Sequence, residues 1–600
     1  MDKKIKKLVL VSLLAIQYSA IAIAILFFAG CAEKTVERDL NILPYPKKMT
    51  TCAGDFSFEI SNMGVKVDAE TQALSQVIKD DLYRLSGVEV KEEATTVVDL
   101  SVQSGVDKGH YQVKVSSKGI RITGNSYQAV VCGWTSVLQT AVIEGGRISI
   151  PEMEIDDSPD LEYRGLMIDL ARSFHSYHTV KQMIDLCRWY KINYLHLHLT
   201  DDQLFVFPSA KFPDVINPDF CYTREQLREI VEYAHERGVN LVPELEGPGH
   251  SSNLRNAYPE IFGKPEYDCI DLSDEKVLDA MKSLIGEVID AFPYSTHIHI
   301  GADEVNLEAL KKLPHVIEAV KRKSFNDVHD LYLNYIVEMH KFIQSKGKQT
   351  CLWEGFDKDG SEAVKIPKDV LVFEFESLYQ RPDSLVKNGY NLINTSWLPL
   401  YLTQSKRWSP EEIYNWNYYT WKNWWEKSHA TKTPIIIDEQ YRAQILGAQM
   451  CAWELNDEME YPSLSGRLAA MSERLWDTIP VGDYAAFEKR MKACQTKLNQ
   501  LLYPIQITTE GLTEPDYVGN DNNRENFFTE NVTLSVKSLL PETVVRYTAD
   551  GLFPSQTSAI FPESLIINES TLVKIGLYDR QGKLISYYPV FYDKKPIIKQ

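Results

Sequence analysis

The spacing of apolar and polar residues changes character three times along the chain. Between residues 42 and 159, short alternating runs such as Phe56–Ile60, Tyr111–Val115 and Gly119–Ile122 read as half-buried strands. Helical spacing appears over Thr71–Ser86 and Ser126–Thr140, so a small α+β domain is expected over residues 40–159. From Tyr163 onward, apolar runs alternate with amphipathic helices. The runs are Arg164–Asp169, Ile192–Leu199, Val239–Glu246, Thr296–Gly301, Gln349–Trp353, Val370–Phe375, Leu392–Ser396 and Ile445–Trp453. Eight strands with helices between them predict a central (β/α)8 TIM barrel over residues 160–502. Some helix ends are marked: Thr223 and Gln226 form a capping-box pattern, Gly238 stops that helix, and Gly347 stops the one over Asn326–Lys346. After Leu502, the runs Val544–Tyr547, Leu572–Leu577 and Leu584–Tyr588 predict a small β-sandwich over residues 503–600.

The first 31 residues follow none of these patterns. Lys3, Lys4, Lys6 and Lys7 precede an apolar run over Leu8–Ala29, and Phe28-Ala29-Gly30-Cys31 follows. This resembles the lipobox of bacterial lipoprotein signal peptides. The resemblance implies cleavage before Cys31, lipidation of that cysteine and a lipid-anchored protein of the bacterial cell envelope, at the outer membrane or facing the periplasm. An uncleaved signal anchor is the alternative, because the run is long enough to span a bilayer. The other eight cysteines are scattered without metal-ligand spacing, so no metal and no cofactor are expected.

With 64 basic and 83 acidic residues the net charge is −19, which argues against nucleic acid as a partner. It leaves room for a neutral sugar, and 11 Trp and 32 Tyr provide stacking faces for one. Oligomeric state is not readable.

The chemistry concentrates at the expected C-terminal ends of the strands, where a barrel builds its active site. Those ends carry Asp169, Asp201 with Asp202, Glu246 with His250, Asp303 with Glu304, Trp353 with Glu354, Glu376, Trp397, and Trp453 with Glu454. A rim of acids and aromatics, with no Ser-His pair or phosphate loop, points to glycoside hydrolysis. Asp303 and Glu304 are adjacent and cannot easily take opposite sides of one bond. One of them is therefore read as the acid, and the nucleophile comes from elsewhere. Another carboxylate is one source, with Glu246 and Glu376 as candidates.

Several ordered motifs resemble glycoside hydrolase family 20, the β-N-acetylhexosaminidases. His299-Ile300-Gly301-Ala302-Asp303-Glu304 matches the family signature, with Ala302 in place of its second glycine. Tyr163-Arg164-Gly165, His198-Leu199-Thr200-Asp201-Asp202, Glu244 to His250, Trp353-Glu354, Trp397 to Tyr401, Trp453-Glu454 and Ser472 to Trp476 match further segments over residues 40–500. The resemblance implies an exo-acting enzyme that releases terminal β-linked N-acetylhexosamine from glycans with retention, the 2-acetamido group acting as nucleophile through an oxazoline. Glu304 would be the general acid and base, and Asp303 would hold the acetamide N–H. Tyr401 would bind the acetamide carbonyl, and Trp353 and Trp453 would wall its pocket. Arg164 and Glu454 would bind sugar hydroxyls, with Glu454 one residue early for that role. Asp201 and His250 would support the acid. One pocket wall lacks its usual Trp, because the sixth strand reads Val372-Phe373-Glu374-Phe375. A barrel glycosidase with a protein nucleophile and a non-catalytic glycan-binding surface lipoprotein are the competing readings.

Overall fold

The computed structural model describes residues 36–91, 95–104, 108–356, 361, 363–513 and 526–595. The leader and Cys31 lie outside the described residues.

The N-terminal domain is a seven-stranded mixed sheet with two helices, Gln72–Ser86 and Tyr127–Thr140. The second helix is buried on nearly every face from Ala129 to Thr140, between its own sheet and the barrel. Gln139 from this helix donates to the carbonyls of Leu43 and Trp189 and accepts from the Leu43 N–H, pinning the entering chain to the barrel.

Eight parallel strands form the barrel: β1 Tyr163–Asp169, β2 Tyr194–His198, β3 Asn240–Glu244, β4 His297–His299, β5 Gln349–Trp353, β6 Leu371–Glu374, β7 Asn391–Asn394 and β8 Ile445–Ala452. Pairing of β8 with β1, Gly447 opposite Tyr163 through Ala452 opposite Ile168, closes the ring. All eight predicted strands are present. Helices follow most of them, and the helix Arg224–Glu236 carries the Thr223–Gln226 capping box. No helix lies between β5 and β6 among the described residues, and only Pro382–Lys387 lies between β6 and β7.

Strand period fixes what faces inward. Tyr163, Met167, Tyr194, Val242, Trp353 and Phe373 pack together inside the barrel. A two-residue strand, Tyr401–Leu402, pairs with Cys451 and Ala452 of β8 above the point where β7 ends, raising Tyr401 to the rim. The C-terminal segment forms a three-stranded and a five-stranded sheet. The eight cysteines from Cys52 to Cys494 are free thiols.

Candidate active site

The Asp-Glu pair is delivered by a turn that only certain residues permit. Gly301 has φ +64°, and a Cβ there would sit 2.0 Å from the Glu246 carboxylate. Ala302 follows at φ +76° and Glu304 at φ +49°, both left-handed and disfavoured for residues with a Cβ. Glu246 Oε1 holds the turn by accepting from the Ala302 N–H at 3.1 Å, and Tyr332 donates to the Ala302 carbonyl at 2.6 Å. Glu246 is thus the floor of the turn. Burial, then the nearby Asp303 and Glu244 charges, push its carboxyl well above the usual range.

The two acids of the pair sit in opposite environments. Asp303 is half-buried with its Oδ1 enclosed and without a hydrogen-bond partner among the described residues, and desolvation raises its pKa to about 7 against the pull of His250. The Glu304 side chain is 50% exposed and lies 3.1 Å from His250 Nε2. That hydrogen bond is the main reason its carboxyl is held below the ordinary value. His250 is itself at φ +40°, and its Nδ1 lies 3.6 Å from both Asp201 Oδ1 and Asp202 Oδ2. Burial disfavours its charge, but contact with Asp202 and Glu304 raises it to about 12, so it is an imidazolium. The Asp201 and His250 pair therefore stands behind Glu304, with Asp202 added.

Four aromatic rings enclose a small box beside Asp303. Trp353 and Phe375 are 5.7 Å apart, Phe375 and Tyr401 6.2 Å, Tyr401 and Trp453 6.0 Å, and Trp453 and Trp353 5.9 Å between centroids. Phe375 thus fills the wall for which the sequence offered no Trp. Two polar atoms of the box, the Tyr401 hydroxyl and Trp453 Nε1, are buried close to one another, the indole N–H toward the hydroxyl oxygen, with no other described residue as partner. With the indole N–H as donor, the Tyr401 O–H is left without an acceptor, and native interiors rarely leave such a group unpaired, so a ligand is its natural partner. Trp397 extends the aromatic surface outward, stacked on Tyr401 at 5.8 Å and against Trp424 at 4.6 Å.

The structure corrects one expected sugar ligand. Arg164 is at the base of β1, not at its C-terminal end. Tyr163 and Met167 face the barrel interior, so the intervening parity turns Arg164 outward. It is 2% exposed, donates to the carbonyls of Leu161 at 2.7 Å and Lys191 at 3.0 Å, and lies over Trp476. The arginine at the rim is Arg172, three residues beyond the end of β1. It reaches Asp169 at 3.3 Å and Asp201 at 2.7 Å and lies over the Trp453 ring at 5.0 Å. The Asp169-x-x-Arg172 spacing was the available signal, a cation on an otherwise acidic rim.

Glu454 follows Trp453 at φ +57°, with its backbone N–H on Asp169 Oδ2 at 3.2 Å and its side chain exposed at the rim. Glu376 comes just after β6 and is 3% exposed. Burial, reinforced by Glu304, Glu354 and Asp303, raises its carboxyl to about 8. Glu354 rises to about 8 mainly through burial.

Comparison with known proteins follows the same lines. Residues 161–479 match the glycosyl hydrolase family 20 catalytic domain, and residues 39–158 match domain 2 of that family. A β-hexosaminidase of Porphyromonas gingivalis is 24% identical, over 96% of this chain and 79% of that protein. One from Vibrio furnissii is 27% identical, over 73% and 77%. Among solved structures, the family 20 exo-β-N-acetylglucosaminidase of Vibrio harveyi in complex with N-acetylglucosamine aligns with a TM-score of 0.66 at 21% identity, covering 78% of each chain. The β-N-acetylhexosaminidase of Bacteroides fragilis aligns at 0.65 and 23% identity, over 77% of this chain and 96% of that one. With an acid pair, a buried aromatic box and a family match over more than half its length, the chain belongs to glycosyl hydrolase family 20 and is a glycoside hydrolase.

Proposed function

We propose that this enzyme is an exo-acting β-N-acetylhexosaminidase that retains configuration by substrate assistance. The observation that carries the proposal is the composition of the box. It presents an unpaired acceptor, Asp303 Oδ1, a Tyr401 O–H without an acceptor, and four apolar ring faces. An acetamide offers the complement: an N–H donor, a carbonyl acceptor and a methyl group.

In this reading Glu304 protonates the glycosidic oxygen while the acetamide carbonyl oxygen, held by Tyr401, attacks the anomeric carbon. Covering Glu304 with sugar removes water from it, which raises its pKa toward the working range of an acid. The imidazolium of His250 then stabilises the carboxylate left after proton transfer. Asp303 offsets the positive charge that develops on the acetamide nitrogen. Glu304 next takes a proton from water, which opens the oxazoline at the anomeric carbon. Glu246 is used as the floor of the turn, which disfavours it as a nucleophile.

Asp303→Asn tests this. Removing one preorganised electrostatic partner costs roughly 10²–10³ in rate, falling mainly on kcat because the charge exists only in the transition state. A thiazoline that mimics the cyclised intermediate should inhibit the parent strongly and the variant much less. Failure of the thiazoline on the parent, or a glycosyl adduct trapped on a protein carboxylate, overturns the reading.

The leader supports a location outside the cytoplasm, anchored by lipid at Cys31. Cys31→Ser is then expected to release the protein from the membrane fraction, and firm association of that variant would favour an uncleaved anchor.

A further inference from the structure

One fully buried carboxylate touches both halves of the proposed site without reaching the sugar. We infer that Glu244, the last residue of β3, is a positioning residue that joins the aromatic box to the acid. The inference rests on the substrate-assisted reading above.

The connections are direct. Glu244 Oε1 accepts from Trp353 Nε1 at 2.6 Å and lies 2.9 Å from His299 Nδ1. Its Oε2 is hydrogen-bonded to His198 Nδ1 and lies 3.1 Å from His196 Nε2. His198 Nε2 in turn lies 3.0 Å from Asp201 Oδ2. Asp201 Oδ1 faces His250 at 3.6 Å, and His250 Nε2 lies 3.1 Å from Glu304. One oxygen therefore fixes a wall of the acetamide box, and the other begins a chain that ends on the general acid.

An ionised carboxylate with no exposure needs a matched cation. His198 supplies it: burial disfavours its charge, but Glu244 and Asp201 on its two nitrogens keep it protonated. His299 is neutral, lowered to about 4 by burial, and does not compete for that role. The His198 imidazolium thus serves two carboxylates and orients Asp201 toward His250.

Neutralising Glu244 has two separable effects. The indole of Trp353 loses its acceptor, which loosens the box. His198 loses one of its two anions, which alters the charge behind His250. His250 is faced by Asp201 and Asp202 from beyond β2, by Asp303 and Glu304 from beyond β4, and by Glu246 on its own turn. Glu304 is also influenced by Arg172 from beyond β1 and Glu376 from beyond β6. The protonation of the His250–Glu304 pair therefore depends on all of these charges, and removing one behind it shifts the pH profile.

The test is Glu244→Gln, assayed across pH on an unactivated N-acetylhexosaminyl disaccharide and on an aryl glycoside with a good leaving group, together with thiazoline inhibition. The expected result is a kcat on the disaccharide lower by about 10- to 100-fold, the scale on which the hydrogen-bonded partners of metal-ligating side chains act. The aryl glycoside should lose less, one limb of the pH profile should move, and thiazoline binding should weaken. Two variants separate the links: Trp353→Phe should weaken thiazoline binding without moving the pH limb, and His198→Gln, whose ring also meets the edge of Trp453 at 5.1 Å, should move the limb with a smaller loss of thiazoline binding. If Glu244→Gln fails to fold, these two carry the test. Equal loss on both substrates with an unmoved pH profile, or parallel effects of the two single-link variants, overturns the inference. A parent that the thiazoline does not inhibit fails the substrate-assisted reading. A strongly inhibited parent with an unaffected Glu244→Gln fails only this inference.

Discussion

Two arginines eight positions apart, Arg164 and Arg172, show how far one residue's role depends on strand parity and strand end. Arg164 is sealed between the barrel wall and Trp476 and donates to two backbone carbonyls. Arg172 lies on the rim against Asp169, Asp201 and Trp453. Their substitutions should therefore separate cleanly. Arg164→Gln leaves buried carbonyls short of a donor, at a cost of roughly 1–3 kcal/mol. It should lower the melting temperature while leaving the kcat/KM of the folded enzyme near that of the parent. Arg172→Gln should lower kcat/KM at least tenfold, about 1.4 kcal/mol of transition-state stabilisation, with a smaller change in melting temperature. Thermal melts and steady-state kinetics on the two purified variants decide the matter. An Arg164 variant that melts normally but is inactive would return the sugar-binding role to that residue.

At the scale of the element, the turn after β4 carries most of the chemistry and most of the strain. Gly301 is fixed twice, by φ +64° and by the Glu246 carboxylate 2.0 Å from where a Cβ would be. Gly301→Ala should cost about 3 kcal/mol or more and abolish activity, because Glu246 must move and release the Ala302 N–H. Ala302 has the strained backbone without the clash. Ala302→Gly relieves roughly 1–2 kcal/mol of left-handed strain and gives back roughly 0.4–1 kcal/mol in unfolded-chain entropy, so it should be neutral or mildly stabilising. Denaturant midpoints of the two variants would show the asymmetry, and equal destabilisation would contradict it. All eight barrel strands could be read from the sequence because each is a local run of buried residues ending at a polar rim. Asp303, Glu304, His250 and the two box tryptophans could be placed because they sit just past such ends. Other features could not be read. Arg164 was misplaced because a motif match carries no parity. The short Tyr401–Leu402 strand exists only through pairing with β8, and Phe375 becomes a wall only through rings brought from three other segments. The Glu244 cluster draws side chains from β2, β3, β4 and β5, and local spacing carries no record of such an assembly.

At the scale of the whole molecule, the barrel is bound to both flanking units by buried and half-buried polar contacts. Asp157 of the N-terminal domain accepts from Trp476 Nε1 at 3.0 Å and from the Tyr111 hydroxyl at 2.7 Å. Arg84 of the same domain donates to Leu501 in the last helix and to Ile585 in the C-terminal sheets, and Tyr587 donates to Asp457 on the rim loop after β8. Unfolding of the three units should therefore be cooperative, which makes global stability a usable readout of the site's buried acids. Asp303, raised to about 7, and Glu354 and Glu376, raised to about 8, keep their protons in the folded state to higher pH than in the unfolded chain. Their contribution is fully present below the unfolded carboxyl values near pH 4 to 4.5 and is lost as pH rises through about 7 to 8, because there the folded state binds more protons than the unfolded one. His250, raised to about 12, acts with the same sign above its unfolded value of 6.5. Glu304 acts in the opposite sense, its stabilisation being lost as pH falls below its ordinary value. The urea midpoint should accordingly fall between pH 6 and pH 8. Self-repulsion of a chain with net charge −19 contributes a background slope of the same sign, so the parent alone does not isolate the acids. Glu376→Gln removes one titrating group while leaving the remaining charges in place. Its midpoint should fall less between pH 6 and pH 8 than the parent's. An identical slope in the two proteins would mean that Glu376 is already ionised at pH 6, and that the rim beside Glu304 carries a full negative charge instead of a neutral acid.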